Sequence, residues 1–153
     1  MKTKKMTLIL LTLLIVCPVI HGQKNVDQLF KEFSKVNGVE RVNIGNITFK
    51  FASLFTDVMG VSGVEVLSFD NCEQSVKDKL DREIASFKDE NYETLVSANE
   101  GKDHAKVLIK IKDETIKEIL VLATGESSAI VRIKGNIKPS DIDKVIKENK
   151  SSK

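Results

Sequence analysis

From Tyr92 to Gly135 the chain runs as short stretches of alternating apolar and polar residues, separated by polar turns. Val107, Ile109 and Ile111 alternate with Lys106, Lys110 and Lys112, and Ala129, Val131 and Ile133 alternate with Arg132 and Lys134. A period of two is that of a strand with one apolar and one wet face. Ile116–Ala123 is apolar on both faces over its second half, which predicts a central strand with something packed on each side. Tyr92–Ala98 is a weaker strand, with Tyr92, Val96 and Ala98 expected on one face. The spacers at 99–103, 113–115 and 125–128 carry turn chemistry and are too short for anything but antiparallel neighbours. The pattern therefore predicts a C-terminal four-strand meander over Tyr92–Ala98, His104–Lys112, Ile116–Thr124 and Ala129–Gly135.

Helical spacing governs much of the rest. Asn25 with Gln28 has the form of a capping box. Val26, Leu29, Phe30, Phe33 and Val36 follow at helical spacing, and Gly38 is the expected stop. A short strand is expected over Val39–Ile44, then a second, strongly apolar helix from about Ile47 to Met59. Gly60 and Gly63 are expected to flank a turn before a strand at Val64–Phe69. A third helix is expected to open at Asp70–Glu73, with Asp70/Glu73 or Asn71/Gln74 as its capping pair, and to run to about Asp89. Ser140 is the expected cap of a last helix. All seven Phe fall between residues 30 and 87, whereas the meander is built from Val, Ile and Leu. That division predicts an α+β fold, an antiparallel sheet with helices packed mainly on one face.

The N-terminus changes the picture of charge. Lys2, Lys4 and Lys5 precede an apolar run from Met6 to Val16, the pattern of an export signal and too short for a spanning helix. Cleavage is expected after Gly22, leaving one domain at 23–148 and a frayed tail at 149–153. The whole chain has 24 basic and 22 acidic residues. Without the three lysines of residues 1–22, 21 basic residues face 22 acidic ones, a net charge of −1. The basic balance thus belongs to the signal, and nothing favours nucleic acid as a partner. Cys17 invites a lipid anchor, but Val16 before it and Pro18 after it make a poor lipobox, so a soluble exported protein is expected.

Only Cys72 remains in the mature chain, so it has no cysteine to pair with in the same molecule. Cys72 is the sharpest candidate for chemistry, because a thiol in the first turn of a helix is acidified by the helix dipole. Asp70 and Glu73 beside it act the other way. The plainer reading is a half-buried cysteine that packs as a small apolar residue. His104 is the other weak catalytic candidate and is equally well read as a residue flanking a turn. No second His or Cys stands at metal-ligand spacing, so no metal or cofactor is expected. The glycine segments at 60–63 and 125–128 lack the spacing of a phosphate loop, and no Ser sits in a GxSxG setting.

Several segments carry a family resemblance. Val39-Glu-Arg-Val-Asn-Ile-Gly45 with Ile47-Thr-Phe-Lys-Phe51, Gly63–Cys72, Ile116–Leu122 and Ile130–Gly135 with Pro139–Ile142 resemble, in order, the exported family called "domain of unknown function 4252" of Bacteroidetes-type bacteria. The resemblance implies export to the envelope of a Gram-negative cell and implies no activity, cofactor or catalytic residue. The leading expectation is a non-enzymatic binding or accessory module of the periplasm or cell envelope. It would act on an envelope protein through the meander's first or last strand or an exposed apolar patch. The alternatives are a thiol-dependent enzyme or redox protein using Cys72, with His104, and a carrier of a small apolar ligand.

Overall fold

The computed structural model describes residues 24–43, 60–125 and 127–143. The export signal, the helix expected at 47–59 and the tail at 149–153 lie outside them. The elements are α1 (Val26–Phe33), β1 (Glu40–Asn43), β2 (Val61–Ser68), α2 (Gln74–Ser86), β3 (Glu93–Glu100), β4 (Asp103–Lys112), β5 (Thr115–Thr124) and β6 (Ala129–Ile137). The strands form one sheet in the order β1-β2-β6-β5-β4-β3, with every neighbouring pair antiparallel. The fold is α+β, as the pattern predicts. The chain leaves β2, crosses the sheet as α2, enters the far edge as β3 and winds back as a four-strand meander until β6 closes against β2.

Both faces of the sheet are covered. On one face Leu67, Ile130, Leu122, Leu120 and Leu108 pack under α1 and α2, against Leu29, Phe33, Phe69 and Leu80. Phe33 and Phe69 meet edge to face at 5.3 Å. Each such side chain, fully buried, stabilises the fold by roughly 1.5–3 kcal/mol. On the other face Val64, Val66, Ile119, Val121, Val131 and Ile133 form a second core, joined by Ile142 from a helical stretch at residues 139–143. The two middle strands, β5 and β6, therefore bury both faces. This explains the continuous apolar run of β5.

The same fact corrects the reading of β6. Arg132 does not stand on a wet face; it is 9% exposed, between the sheet and α1. Lys106 and Lys110 likewise share the helix-covered face: the Lys106 Nζ donates to the Ile84 carbonyl at 3.0 Å. The wet-face reading fails at Arg132 and Lys106, which find partners beneath the helices, and holds at the strand ends, where Lys112 is exposed and Lys134 partly so.

Caps and turns differ in detail. The Asn25/Gln28 capping box is present: the Gln28 N–H donates to Asn25 Oδ1 at 2.9 Å and the Asn25 N–H to Gln28 Oε1 at 3.1 Å. Asp89 adds a third contact at this end, accepting from the Val26 N–H at 3.2 Å. Burial pushes the Asp89 carboxyl up, but hydrogen bonds from Asn91 and Val26 outweigh it and hold the group below its usual range. Helix α1 ends at Phe33, before the expected stop. Gly38, with φ +86°, instead turns the chain into β1. The turn expected between Gly60 and Gly63 is absent, since β2 already begins at Val61. Helix α2 starts at Gln74, and neither expected capping pair is used. Asp70 Oδ1 accepts from the Ser128 N–H at 3.3 Å, and Asn71 Nδ2 donates to Glu40 at 2.7 Å. Both caps were recruited by tertiary partners. Ser140 lies inside the helical stretch at 139–143 rather than before it.

Candidate functional site

Strand β3 is one border of the sheet, and all eight of its residues are exposed. Its hairpin to β4 turns through two residues, Gly101 (φ +61°) and Lys102, between the paired Glu100 and Asp103. Gly at the first central position is the signature of a type II′ turn. In such a hairpin the flanking pair exchanges both backbone hydrogen bonds, and the pattern then alternates. The N–H and C=O groups of Ala98 and Val96 thus serve β4, while those of Ser97 and Asn99 point away from the sheet. A register shift between Thr94 and Val96 places Val96 opposite Val107, on the face away from the helices. Tyr92 packs against the helix-covered core instead. The two therefore do not share a face, contrary to their parity in the sequence: one extra residue flips every side chain after it. Leu95 and Val96 are each 45% exposed and Ile111 is 43% exposed, the large apolar residues left open to solvent among the described residues.

The other border, β1, is four residues long. Strand β6, the second strand expected to accept a partner, is internal: it pairs with β2 on one side and β5 on the other.

Between β3 and α2 lies a groove of about 250 Å³ with Ile84 and Ala85 on one wall and Ser97 and Asn99 on the other. His104 sits at its end. Its Nδ1 is 2.9 Å from Asn99 Oδ1, and its Nε2 is 3.9 Å from Asp81 Oδ1. Thr124 Oγ1 donates to the same Asp81 oxygen at 3.0 Å. Past Asp81 and His104 the groove widens to a polar cleft of about 720 Å³ bordered by Asp78, Asp103, Lys77 and Lys102. A lining of this charge suits polar or ionic groups and not an apolar ligand. The Asp81–His104–Thr124 cluster does not make a nucleophile, because the hydroxyl donates to the carboxylate rather than to the imidazole.

Cys72 is placed elsewhere. It lies in the turn before α2 rather than in its first turn, half-buried against the core beneath the helices. Burial pushes its thiol up, Asp70 and Glu40 push the same way, and Lys77 opposes them. Cys72 adjoins Gly38 and Asn71, on the β1 side of the sheet. The row Ser68–Ala129–Ala123–Ala105 crosses three strand spacings, on the order of 14 Å, from the strand that leads to Cys72 to the one that bears His104. The structure does not bring the two candidates together.

It does assemble a cluster that sequence reasoning missed. Arg132 Nε donates to Glu118 Oε2 at 2.7 Å, its Nη1 to Asp27 Oδ1 at 2.7 Å, and the Tyr92 hydroxyl to Glu118 Oε2 at 2.8 Å. The guanidinium carbon lies 5.8 Å from the centre of the Phe30 ring. Burial acts to lower the Arg132 pKa, but its two carboxylate partners more than reverse this. The signal available was a charge set among apolar residues in each of two strands, Glu118 before Ile119–Ala123 and Arg132 between Val131 and Ile133. Through these bonds the cluster fastens α1 to the sheet. Among the described residues no group of His, Cys, Asp and Glu side chains is arranged to hold a metal ion, and no helix is long and apolar enough to cross a membrane.

Comparison with known families bears on this geometry. The model of a family described as "Domain of unknown function (DUF4252)" matches residues 30–145, from within α1 to past Ile142. The chain belongs to this family. The matched span takes in all six strands, α2, the β3 border and both grooves, so the site described above is part of the DUF4252 domain and not an appendage to it. No curated protein and no solved structure matches the chain.

Proposed function

We propose that this DUF4252 protein is an exported, non-enzymatic binding module of the bacterial cell envelope, and that it accepts a strand from a protein partner at β3. One observation carries the reading. Strand β3 is an eight-residue border strand, exposed throughout, with the backbone groups of Ser97 and Asn99 directed outward beside a side-chain groove. Strand addition draws affinity from such main-chain groups and specificity from neighbouring pockets. Natural border strands are blunted by Lys, Pro, other charges or bulges. Strand β3 has no Lys or Pro, and its one bulge, at Thr94–Val96, and its glutamates lie to either side of Ser97–Asn99. The basic, then apolar N-terminal segment supports export.

The test is capture of partners from the native envelope fraction on the tagged protein, run beside Ser97→Pro. Proline at Ser97 removes an outward N–H and keeps the ladder to β4. The reading expects a reproducible partner that is lost with Ser97→Pro while the circular dichroism spectrum is unchanged. A partner retained by Ser97→Pro, or no partner with either protein, would sink it.

A further inference from the structure

The border strand also carries charge of one sign. From Asp89 through Gly101 there is no Lys or Arg, and Asp89, Glu90, Glu93 and Glu100 are all carboxylates. Asp89 is spent on the start of α1 and on Asn91. Glu90, Glu93 and Glu100 are exposed, two before or at the start of β3 and one at its end. The middle, Leu95 to Ala98, is mostly apolar, and Leu95 and Val96 are open to solvent. The strand thus presents an apolar centre between two acidic ends.

This layout discriminates among occupants. A second copy pairing antiparallel about Ser97 would set Glu100 of each molecule beside Glu93 of the other, at both ends of the ribbon. Like charges facing across strands are destabilising, and the twofold axis doubles the effect. A partner strand with Lys or Arg at its two ends meets the opposite situation. Its charges face Glu93 and Glu100, and its apolar centre covers Leu95 and Val96. Lys106 and Lys110 on the neighbouring strand do not face the acidic ends: they share the helix-covered face, whereas Glu93, opposite Ile109, and Glu100, opposite Asp103, lie on the other. The exposed Lys88 and Lys102 flank the acidic run without entering it, and Asp103 adds a carboxylate opposite Glu100.

We infer that the segment accepted at β3 is a strand with an apolar centre flanked on both sides by basic residues, and that the acidic ends of β3 keep copies of this protein from pairing with one another. The inference rests on the strand-accepting reading above and adds the chemistry of the partner.

The test uses three synthetic peptides with one core, Val-Thr-Val-Thr-Val, flanked by pairs of lysine, serine or glutamate, titrated into the isotope-labelled protein at low salt. The lysine-flanked peptide is expected to bind roughly tenfold or more tightly than the glutamate-flanked one, the gap narrowing as ionic strength rises. Amide shifts are expected at Ser97 and Asn99, and the double change Glu93→Lys/Glu100→Lys is expected to reverse the preference. Equal binding of all three peptides at β3 would overturn the charge inference and leave strand acceptance standing. No binding at β3 by any peptide would overturn both. A dimer formed without peptide, and broken by Ser97→Pro, would overturn the inference by showing a second copy as the occupant.

Discussion

Arg132 and Glu118 are joined diagonally across neighbouring strands. The direct cross-strand partner of Arg132 on β5 is Leu120, that of Glu118 on β6 is Lys134, and the 2.7 Å bond runs between the two rows. The Arg132 side chain is 10% exposed and that of Glu118 14%. A buried pair of this kind adds little over well-packed apolar residues, but removing one partner strands a charge. Glu118→Ala leaves Arg132 only the exposed Asp27 and more distant Glu65. Its expected cost is about 3–5 kcal/mol in urea unfolding, and Glu118→Leu with Arg132→Met should recover most of it. A cost for Glu118→Ala below about 1 kcal/mol would contradict the assignment.

The same cluster contributes to the pH dependence of stability at both ends. Burial pushes the Glu118 carboxyl up, but hydrogen bonds from Arg132 and Tyr92 outweigh it and hold the group below its ordinary range. A pKa lower in the folded than in the unfolded protein gives stability that is complete above the unfolded value, about 4.3, and lost as pH falls through the folded one. Tyr92 behaves oppositely: burial, then Glu118, pushes its phenol well above the ordinary value. Its contribution is complete below about pH 10 and lost as pH rises through the raised value. Melting temperatures measured against pH should show a shallower acid limb for Glu118→Gln and a shallower alkaline limb for Tyr92→Phe.

The turn between β4 and β5 holds room for improvement. Asp113 and Glu114 have φ of 52° and 57° between the paired Lys112 and Thr115, a type I′ turn without glycine. A side chain in the left-handed region costs about 1–2 kcal/mol, of which the unfolded-state entropy of glycine takes back about half. Glu114→Gly is therefore expected to stabilise the protein by about 0.5–1 kcal/mol, raising the melting temperature.

Two glycines of the β2–β6 pair should respond differently. A Cβ on Gly135 would run into the Gly60 carbonyl and come within 3.0 Å of Val61 Cα, just where the Asn136 N–H donates to Gly60 at 2.8 Å. Backbone cannot yield there without opening the ladder. Gly135→Ala should cost about 2 kcal/mol, as overpacking does. At Gly63 the nearest atom is the Lys134 Cβ at 4.0 Å, so Gly63→Ala should stay within about 0.5 kcal/mol of the wild type by the same denaturant measurement.

Cys72 should be a slow nucleophile. With its thiol pushed up by burial, alkylation at neutral pH is expected to lag behind a free cysteine, and His104→Ala should leave the rate unchanged. Fast alkylation that depends on His104 would restore the thiol reading.

Period-two alternation, Gly101 in the hairpin turn and the Asn25/Gln28 pair are local signals, and the elements they mark lie where the pattern puts them. The apolar second half of β5 correctly implied a central strand. The acidic ends of β3 were equally visible, although nothing local said that β3 would be a border. The cover of its neighbours told the opposite way: Lys106 and Arg132 look solvated in sequence and meet helix partners in the fold.

What the sequence alone determined, then, is the period of each segment, the chemistry of its turns, its family and the charge it carries, because these depend on residues a few positions apart. The tertiary structure decided which face each period turns inward, which strand is left at the border and which caps are taken by distant partners. The bulge at Thr94–Val96 turned Val96 away from Tyr92; the closure of β6 on β2 removed one candidate border and left β3; Ser128 and Glu40 drew Asp70 and Asn71 away from α2. Each of those outcomes is a competition among groups far apart in the chain, and a polar group goes to whichever partner the packed core brings within reach.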